Sequence, residues 1–296
     1  MESCCTINVR GRLLPLDEPV VMGILNVTPD SFYSCSRVAG DSLVERAREM
    51  IDAGAAIIDV GACSTRPGAG FVSQDEELRR LHSALELLDK ELPDAVVSVD
   101  TFRGKVALEC VREHNVAIVN DVSGFEWDSA MFGAVAELRV PYVLTHSAAE
   151  PGGLVEYEEF VPDVIKHLAQ KMWRLRQEGV ADIIVDPGFG FGKSLGQNYE
   201  LFAAMEHFSL LDAPLLVGIS RKSMVTKLLG VDACGALTGT VALNMAALER
   251  GARILRVHDV PEAVQVIDIW KAIKYSNNID VDPAMSSRQS KATRDL

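Results

Sequence analysis

Short apolar runs, each followed by a longer stretch with helical periodicity, recur eight times along this chain and limit the folds open to it. The runs are rich in β-branched residues and leucine, and several are almost wholly apolar, which is typical of parallel strands covered on both faces. They span residues 20–25, 57–60, 96–99, 118–120, 142–145, 183–185, 215–219 and 254–257. Such a regular alternation indicates an α/β protein with a parallel sheet.

The stretches between the runs repeat their apolar residues with a helical period. Residues 42–54 show it clearly, with apolar side chains at positions 43, 44, 47, 50 and 51 and a glycine at the end. The other predicted helices span residues 75–88, 103–113, 129–138, 164–178, 198–206, 237–250 and 261–274. Eight strand–helix pairs favour a closed (β/α)8 TIM barrel, and an open doubly wound sheet is the alternative.

One barrel domain accounts for residues 1–275, because no linker and no repeat longer than one strand–helix unit interrupts them. Residues 5–16 alternate apolar and polar side chains around Arg10-Gly11-Arg12, which predicts an N-terminal β-hairpin that caps the bottom of the barrel. Residues 276–296 are polar and lack a period, which predicts a disordered tail.

The charge balance restricts the partners of the protein. The 296 residues carry a formal net charge of −13, which disfavours nucleic acid and anionic membranes as partners, so an anionic substrate needs a local cationic site. No apolar stretch approaches the ~20 residues that span a bilayer. Residues 1–8 lack the parts of a secretory signal, and the six cysteines form no CxxC pair. We therefore expect a cytoplasmic protein with reduced thiols.

In a TIM barrel, the chemistry lies on the loops that follow the carboxyl ends of the strands. After the first predicted strand, Asn26 offers a neutral oxygen ligand for a phosphate-bound Mg²⁺, and a simple turn before Pro29 is the alternative. After the second strand, Ser64, Thr65 and Arg66 lie between glycines. Hydroxyls, a guanidinium and flexible backbone suit phosphate, and an exposed loop with a solvated arginine is the alternative.

Carboxylates and amides follow the third, fourth and sixth predicted strands. Burial of such groups beside apolar runs is costly unless they are paired. Asp100, Asn120 and Asp186 form a set of acceptors that fits a heterocycle, because a carboxylate accepts two parallel hydrogen bonds from an N–H/NH₂ edge. For Asp121 we expect a helix N-cap instead.

Residues 186–194 resemble a Walker loop because they end in Gly-Lys-Ser. The first glycine of that motif is replaced by Pro187, which has no N–H for a phosphate, so the sequence argues against a P-loop. The alternation of glycine and phenylalanine instead predicts aromatic rings laid over a flat ligand. Packing of both phenylalanines in the core is the alternative.

Basic residues follow the last two predicted strands. Arg221 and Lys222 follow the seventh run, and Arg256 and His258 share one side-chain parity at the end of the eighth, so both can point the same way. The loops after the last two strands of such a barrel frequently bind phosphate. The set Arg66, Lys222, Arg256 and His258 carries enough positive charge for a diphosphate.

Seven motifs, in chain order from about residue 20 to residue 274, resemble those of the dihydropteroate synthase family of pterin-binding enzymes. They are Asn26-Val-Thr-Pro-Asp-Ser-Phe32, Ser64-Thr-Arg-Pro-Gly68, Ser98-Val-Asp-Thr101, Asn120-Asp-Val-Ser123, Asp186-Pro-Gly-Phe-Gly-Phe-Gly192, Ser220-Arg-Lys222 and Arg256-Val-His258. The resemblance implies a transferase that condenses 6-hydroxymethyl-7,8-dihydropterin diphosphate with 4-aminobenzoate, giving 7,8-dihydropteroate and diphosphate in folate biosynthesis. It also implies a homodimer that is a target of sulfonamides.

The same resemblance assigns roles to individual residues. The pterin would be held by Asp100, Asn120, Asp186 and Lys222. The diphosphate would be bound by Asn26, Thr65, Arg66, Arg256 and His258, and the metal cofactor Mg²⁺ would be shared at Asn26. The aminobenzoate would be framed by Phe32, Pro67, Phe191, Ser220 and Arg221. Catalysis is expected from Asp100, Lys222, Arg256 and Asn26.

The chemistry of the reaction agrees with these roles. An aromatic amine is neutral at pH 7, so departure of diphosphate is the hard step, which favours a dissociative displacement. The chain departs from the commoner family pattern at Tyr33-Ser-Cys-Ser-Arg37, Cys63 and Thr145-His-Ser-Ala-Ala149, and none of these changes removes a charge that the reaction needs. The alternatives are a pterin-dependent methyltransferase on the same scaffold, which would not need the diphosphate-binding cations, and a non-catalytic paralogue.

Overall fold

The computed structural model describes residues 5–27, 38–63 and 72–276. Its strands are β1 (Thr6–Val9), β2 (Arg12–Pro15), β3 (Val20–Asn26), β4 (Ala55–Gly61), β5 (Val97–Asp100), β6 (Val116–Asp121), β7 (Tyr142–Thr145), β8 (Ile183–Asp186), β9 (Leu215–Val217) and β10 (Ala252–Val257). Strands β3 to β10 are parallel and form a closed barrel in chain order, because β10 also pairs with β3. The closure confirms the predicted (β/α)8 barrel and excludes the open sheet.

Helices cover the outside of the barrel. They are α1 (Val38–Asp52), α2 (Gln74–Glu91), α3 (Gly104–Glu113), α4 (Ala130–Leu138), α5 (Phe160–Gln177), α6 (Leu195–Ala203), α7 (Ser223–Leu229), α8 (Leu237–Glu249) and α9 (Val260–Lys274), with a 3₁₀ helix at Met205–Leu211. Each predicted helix is present with shifted ends. Helix α7 was not predicted, because its 7 residues are too few for a helical period to be recognised.

Alternation of side chains along each strand produces two apolar layers. Val21, Ile58 and Val99 represent the outward layer, which is buried against the helices. The alternate positions point into the barrel, where the interior layer consists of Met22, Ile57, Ile118, Val143, Ile184, Leu216 and Ile254. Nearer the carboxyl ends of the strands, the side chains that point inward are polar. The carboxyl end of the barrel is therefore polar.

The predicted N-terminal hairpin is formed by β1 and β2, which pair in antiparallel fashion. Its residues Ile7, Val9 and Leu16 are buried and pack against the interior layer of the barrel. Each fully buried side chain of this size contributes roughly 1.5–3 kcal/mol. The hairpin thus closes the amino-terminal end of the barrel, as predicted.

Hydrogen bonds between distant parts of the chain hold the hairpin in place. The backbone N–H of Asn8 donates to Oδ2 of Asp182 at 2.9 Å, across 174 positions of sequence. The guanidinium of Arg253 donates to the carbonyl of Asp17 at 2.6 Å, across 236 positions. The N-terminal segment is therefore fastened to the starts of two late strands, β8 and β10.

The expectation that Asp121 is a helix N-cap is wrong. Its carboxylate accepts hydrogen bonds from the backbone N–H of Ser123 and Phe125, at 2.8 and 2.7 Å, and from the hydroxyl of Tyr142 at 2.6 Å. It therefore organises a turn at the end of β6, while the next helix begins only at Ala130. The side chain of Asp121 points outward from the barrel, whereas that of the preceding residue, Asn120, points into it.

Some predictions concern residues that the structure does not describe. Residues 277–296, which form nearly all of the predicted tail 276–296, lie outside the described residues. The loops at 28–37 and 64–71, which follow β3 and β4, lie outside them as well. Among the helices that are described, none combines the length and the apolar character needed to cross a membrane.

Candidate active site

Polar side chains form a ring at the carboxyl end of the barrel. Each follows an inward-facing apolar residue by two positions, so strand alternation directs it into the barrel mouth. The ring consists of Asp59, Asn120, Thr145, Asp186 and Arg256, and the first four are almost wholly buried. Asn26, Asp100 and His258 lie at the same end of the barrel, at or just beyond the last residues of β3, β5 and β10.

Arg256 binds two carboxylates in the mouth. Its Nε lies 2.7 Å from Oδ2 of Asp59, and its Nη2 lies 2.6 Å from Oδ2 of Asp100. Asn120 donates through Nδ2 to the same Asp59 oxygen at 2.9 Å. Residues from β4, β5, β6 and β10 are thus joined in one hydrogen-bonded network.

Burial and the crowding of carboxylates alter protonation in this network. Burial raises the pKa of Asp100 to about 7; Arg256 opposes this rise, and Asp59, Glu77 and Asp121 add to it. Burial acts to lower the pKa of Arg256, but Asp59 and Asp100 raise it above its ordinary value. The guanidinium therefore stays charged, whereas Asp100 exchanges a proton near neutral pH.

Asp186 and Lys222 form a second charged part of the mouth. Burial raises the pKa of Asp186, which Lys222 opposes, and burial lowers the pKa of Lys222 to about 8, which Asp186 opposes. The Nζ of Lys222 donates to the carbonyl of Phe189 at 2.6 Å and lies 4.4 Å from the centre of the Phe191 ring. Lys222 is thus a cation seated on an aromatic ring beside a carboxylate.

The two phenylalanines of the loop after β8 have different environments. Phe189 is buried, and its ring centre lies 5.7 Å from that of Phe202 in the apolar layer beneath the helices. Phe191 remains partly exposed beside Lys222. Packing in the core therefore applies to Phe189, and only Phe191 is placed to meet a flat ligand.

The Walker-like end of this loop has a structural role. The Nζ of Lys193 donates to the carbonyls of His146, Gly188 and Phe191, at 3.0, 2.8 and 3.2 Å. Burial lowers the pKa of Lys193 to about 7. Ser194 begins α6 with a capping box. Because three carbonyls surround the ammonium group, it is not available for phosphate, which agrees with the argument against a P-loop.

Gly188 determines how closely the loops after β7 and β8 approach each other. Its φ is +70°, and a Cβ at this position would lie 1.8 Å from the carbonyl oxygen of His146. The backbone N–H of Gly188 also donates to Oδ1 of Asp186 at 2.8 Å. Glycine is thus required here both by conformation and by space, and it orients the Asp186 carboxylate.

Ser220, Arg221 and His258 lie where β9 and β10 end. The Oγ of Ser220 lies 3.0 Å from Nδ1 of His258 and accepts from the His258 backbone N–H at 3.2 Å. Arg221 has a φ of +57° and pairs with Asp259, with 3.1 Å between its Nε and Oδ2 of that residue. The structure brings Ser220 and His258 together and engages Arg221 in an ion pair at the start of α9.

Four predicted site residues lie outside the described residues: Phe32, Thr65, Arg66 and Pro67. Both ends of the 64–71 loop are anchored, since Arg80 donates to the carbonyl of Ala62 at 3.2 Å and Arg103 donates to that of Val72 at 2.7 Å. The wholly buried Glu77 forms an ion pair with Arg103. The described residues Ala62 and Val72, on either side of 64–71, are therefore held by hydrogen bonds from Arg80 and Arg103.

Sequence reasoning assigned no role to three inward-facing residues, Asp59, Ser98 and Thr145. Oδ1 of Asp59 and the hydroxyls of Ser98 and Thr145 are buried without a hydrogen-bond partner among the described residues. For Asp59 the sequence contains a signal, because a carboxylate within the apolar run Ile57-Ile58-Asp59-Val60 is placed for burial. Buried hydroxyls give no comparable signal, since strands contain them without functional cause.

Comparison with known proteins extends these observations. A family model described as pterin binding enzyme matches residues 22–258. The dihydropteroate synthase of Escherichia coli K12 is 40% identical over 271 residues, which are 89% of this chain and 94% of that protein. A probable bifunctional folylpolyglutamate synthase/dihydropteroate synthase of Haloferax volcanii is 42% identical over 272 residues, which are 90% of this chain and 32% of that protein. The chain thus spans about a third of the bifunctional relative.

Solved structures agree with the sequence relatives. The dihydropteroate synthase of Xanthomonas albilineans with 4-aminobenzoic acid matches with a TM-score of 0.84 and 36% identity, covering 92% of this chain and 99% of that one. The same synthase in complex with 7,8-dihydropteroate matches with a TM-score of 0.80 and 34% identity, covering 91% and 99%. This chain therefore belongs to the pterin-binding enzyme family, among its dihydropteroate synthases.

Proposed function

We propose that this protein condenses 6-hydroxymethyl-7,8-dihydropterin diphosphate with 4-aminobenzoate, giving 7,8-dihydropteroate and diphosphate. The observation that carries the proposal is the partly buried Arg256, shared between Asp59 and Asp100 in a mouth that also contains Asp186 and Lys222. This arrangement offers acceptors to a heterocycle and cations to an anionic leaving group. The relatives from E. coli and X. albilineans, by their names and bound ligands, direct the choice of substrates.

The pterin would be held by the acceptors of the mouth. Asp100, Asn120 and Asp186 come from neighbouring parts of the barrel and face its interior, where a flat ring with adjacent N–H and NH₂ groups meets carboxylate oxygens. Lys222 would donate to an acceptor of the same ring while its Nζ stays beside Asp186. Because these groups are buried, each hydrogen bond to a substrate is stronger than it would be in water.

Departure of diphosphate is the step that the cations would assist. The bond between the pterin methylene carbon and the bridging oxygen breaks, and its electron pair leaves with the diphosphate. The methylene cation delocalises into the ring, where the carboxylates of Asp100 and Asp186 stabilise it. Arg256, His258, Thr65 and Arg66 would bind the leaving group. The amine nitrogen of aminobenzoate then forms the new C–N bond and loses its proton.

Mg²⁺ would be held at Asn26, at the end of β3. A Cβ added to Gly61, the register partner of Asn26, would lie 3.7 Å from Oδ1 of Asn26 and 3.5 Å from Oδ2 of Asp100, so both oxygens border one small space. Such oxygens suit a Mg²⁺ that keeps water and substrate ligands. No cluster of three His, Cys, Asp or Glu side chains within the described ranges could hold a metal by itself. When bound, the ion would neutralise charge on the diphosphate.

The aminobenzoate would lie at the outer rim of the mouth. Phe191 and Ser220 are partly or wholly buried beside Lys222 and His258. Arg221 is a cation near the same strand ends, although its guanidinium pairs with Asp259 in this structure. Phe32 and Pro67 would complete the rim by analogy with the family, and their loops are the ones expected to close over the substrates.

We also propose that the protein is a cytoplasmic homodimer. Leu228 and Leu229 on α7 and Ile269 and Ile273 on α9 are each more than half exposed. Both helices pack against α8, which is apolar around most of its circumference. An apolar surface of this kind marks an association site. Light scattering at several concentrations would test it, and a monomer at all of them would contradict the proposal.

The direct test of the activity is to follow both products at once. Purified protein would be incubated with the dihydropterin diphosphate, 4-aminobenzoate and Mg²⁺ while diphosphate release and dihydropteroate formation are measured. Equal release of both, abolished without Mg²⁺, is the expected result. Diphosphate release without dihydropteroate would place the fault in the loops that hold the amine. Pterin binding without either product would support the methyltransferase or the non-catalytic alternative.

A further inference from the structure

Asp59 is a buried carboxylate to which no substrate role has been assigned above. It lies on β4 with no exposed surface, and its Oδ2 accepts from Nε of Arg256 at 2.7 Å and from Nδ2 of Asn120 at 2.9 Å. In the barrel order, β4 lies two strands from β10 and two strands from β6. One oxygen therefore connects two side chains that approach it from opposite directions around the barrel.

The partners of Asp59 are both residues proposed to contact substrate. Arg256 would bind the diphosphate and Asn120 the pterin, so the two halves of one substrate molecule would be met by groups that Asp59 connects. Each partner has several rotatable bonds, and burial alone does not select one rotamer. A shared carboxylate fixes both, because a guanidinium Nε–H and an amide N–H point along defined directions.

The contacts of Asp59 do not suggest a residue retained for stability. Its Oδ1 is buried and has no hydrogen-bond partner among the described residues. Its register partner on β5, Ser98, likewise has a buried hydroxyl without one. A buried charge with an unpaired oxygen opposes folding. Glu77, which is also wholly buried and bonded to an arginine, uses both of its oxygens.

We propose that Asp59 is a positioning residue, which orients Arg256 toward the diphosphate and Asn120 toward the pterin of the same substrate. The inference rests on the proposed function. Asp59 does not itself touch the reacting atoms. Its Oδ2 lies 2.7 Å from both Nε and Nη2 of Arg256, and Asp100 shares Nη2 with it.

The first test is Asp59→Asn, with Asp121→Asn as the matched control. Both residues are fully buried carboxylates that act electrostatically on Asp100, but the hydrogen bonds of Asp121 go to its own turn and to Tyr142. Asp59→Asn should lower kcat/KM for the pterin substrate by about 10- to 100-fold, because displacement of a bound group by about 1 Å costs that much. Asp121→Asn should change kcat/KM by less than about threefold in the fraction that remains folded. Equal effects of the two variants would overturn the proposal.

The second test asks whether Asp59 acts through Arg256. In a double-mutant cycle, most of the cost of Asp59→Asn should disappear once Arg256→Met is present, because only the contact of Asp59 with Asn120 then remains to be lost. Independent, multiplicative losses would show that Asp59 acts by another route. If the double variant does not fold, the affinity of Asp59→Asn for inorganic diphosphate decides the question. A weaker affinity than that of wild type and of Asp121→Asn supports the positioning of Arg256, and an unchanged affinity overturns it.

The two levels of the proposal fail in different ways. If the wild-type protein forms no dihydropteroate, the proposed function fails, and calorimetric binding of the dihydropterin diphosphate to wild type and Asp59→Asn still measures positioning. If the wild type is active and Asp59→Asn matches it in kcat/KM and in affinity for diphosphate, the proposed function stands and the role of Asp59 is refuted.

Discussion

The Nε atom of Arg256 lies 2.7 Å from Oδ2 of Asp59, although 197 positions of sequence separate the two residues. The contact joins β10 to β4 across β3, so it exists only when the barrel is closed. The charges of the mouth are therefore balanced by the tertiary structure and not by neighbours in sequence.

Loss of a charged partner in the mouth should be costly for activity. Arg256→Ala leaves two carboxylates without their cation, and Asp186→Asn removes the charge beside Lys222. Truncation of one member of a buried charge pair costs about 2–5 kcal/mol. Each variant should therefore lower kcat/KM by about 30-fold to several thousand-fold in steady-state assays. A loss below about threefold at both positions would contradict the roles assigned to them.

The plot of kcat/KM against pH should be a narrow bell-shaped curve. Asp100, whose pKa is about 7, is faced by Arg256, Asp59, Glu77 and Asp121, and its charged form would stabilise the pterin cation. Lys222, whose pKa is about 8, must be charged to bind the ring. The ratio kcat/KM should thus fall below about pH 7 and above about pH 8. Asp100→Asn should remove the acid limb from what activity remains, and an unchanged acid limb would assign it to another group.

The free energy of unfolding should also depend on the protonation of Asp100. It should decline with rising pH over the range in which kcat/KM increases. The folded pKa of Asp100 is raised above its ordinary value, so the folded state binds the proton more tightly than the unfolded state does. Its contribution is present at low pH and is lost as pH rises from about 4 to about 7. Urea unfolding across this range should show a smaller decline in Asp100→Asn than in wild type. Identical slopes would mean that Asp100 does not titrate in this window.

Gly188→Ala should disrupt the loop that carries Phe191. Besides the strain of a positive φ, the new methyl group would overlap the carbonyl oxygen of His146, at 1.8 Å. The combined cost should be about 3 kcal/mol or more. Gly152→Ala is the control, since it has a φ of +77° and no atom within 4 Å of the added Cβ. Both variants introduce the strain of a positive φ, but only Gly188→Ala introduces the overlap, so the difference between their Tm values measures the cost of the overlap. Equal Tm values would show that the overlap adds no cost.

Thr145→Val should make the protein more stable. The hydroxyl of Thr145 is buried with no hydrogen-bond partner among the described residues, and an unsatisfied polar group costs roughly 1–3 kcal/mol. Valine keeps the shape and removes that cost, so the free energy of unfolding should increase by about 1 kcal/mol in denaturant titrations. A decrease would contradict this prediction and would show that the hydroxyl has a hydrogen-bond partner in the free protein.

Much of the fold was predictable because its signals are local. The β-branched runs, the helical periods and the hairpin alternation each occupy a few residues, and their order favours a barrel over an open sheet. The charged strand ends were predictable for the same reason. Helix α7 was missed because it has two turns, and Asp121 was misassigned because parity, not proximity to a helix, determines the direction of its carboxylate.

The interactions within the site were less accessible to sequence. Asp59 stands inside a run that was interpreted as a strand core, and its two partners, Arg256 and Asn120, come from strands that are distant in the chain. The difference between Phe189 and Phe191 also depends on which side of the loop faces Phe202. Such relations are set by barrel closure and have no counterpart in a local pattern.

The N-terminal hairpin has a consequence for how the chain is made. Its partners Asp182 and Arg253 are synthesised long after it. The hairpin therefore cannot dock until most of the barrel has emerged from the ribosome. At typical rates of translation this interval is on the order of 10 to 50 s. Throughout it, Ile7, Val9 and Leu16 have no completed barrel interior to cover. The first segment translated is thus among the last to dock, and a nascent chain of this protein has reason to engage a chaperone at its start.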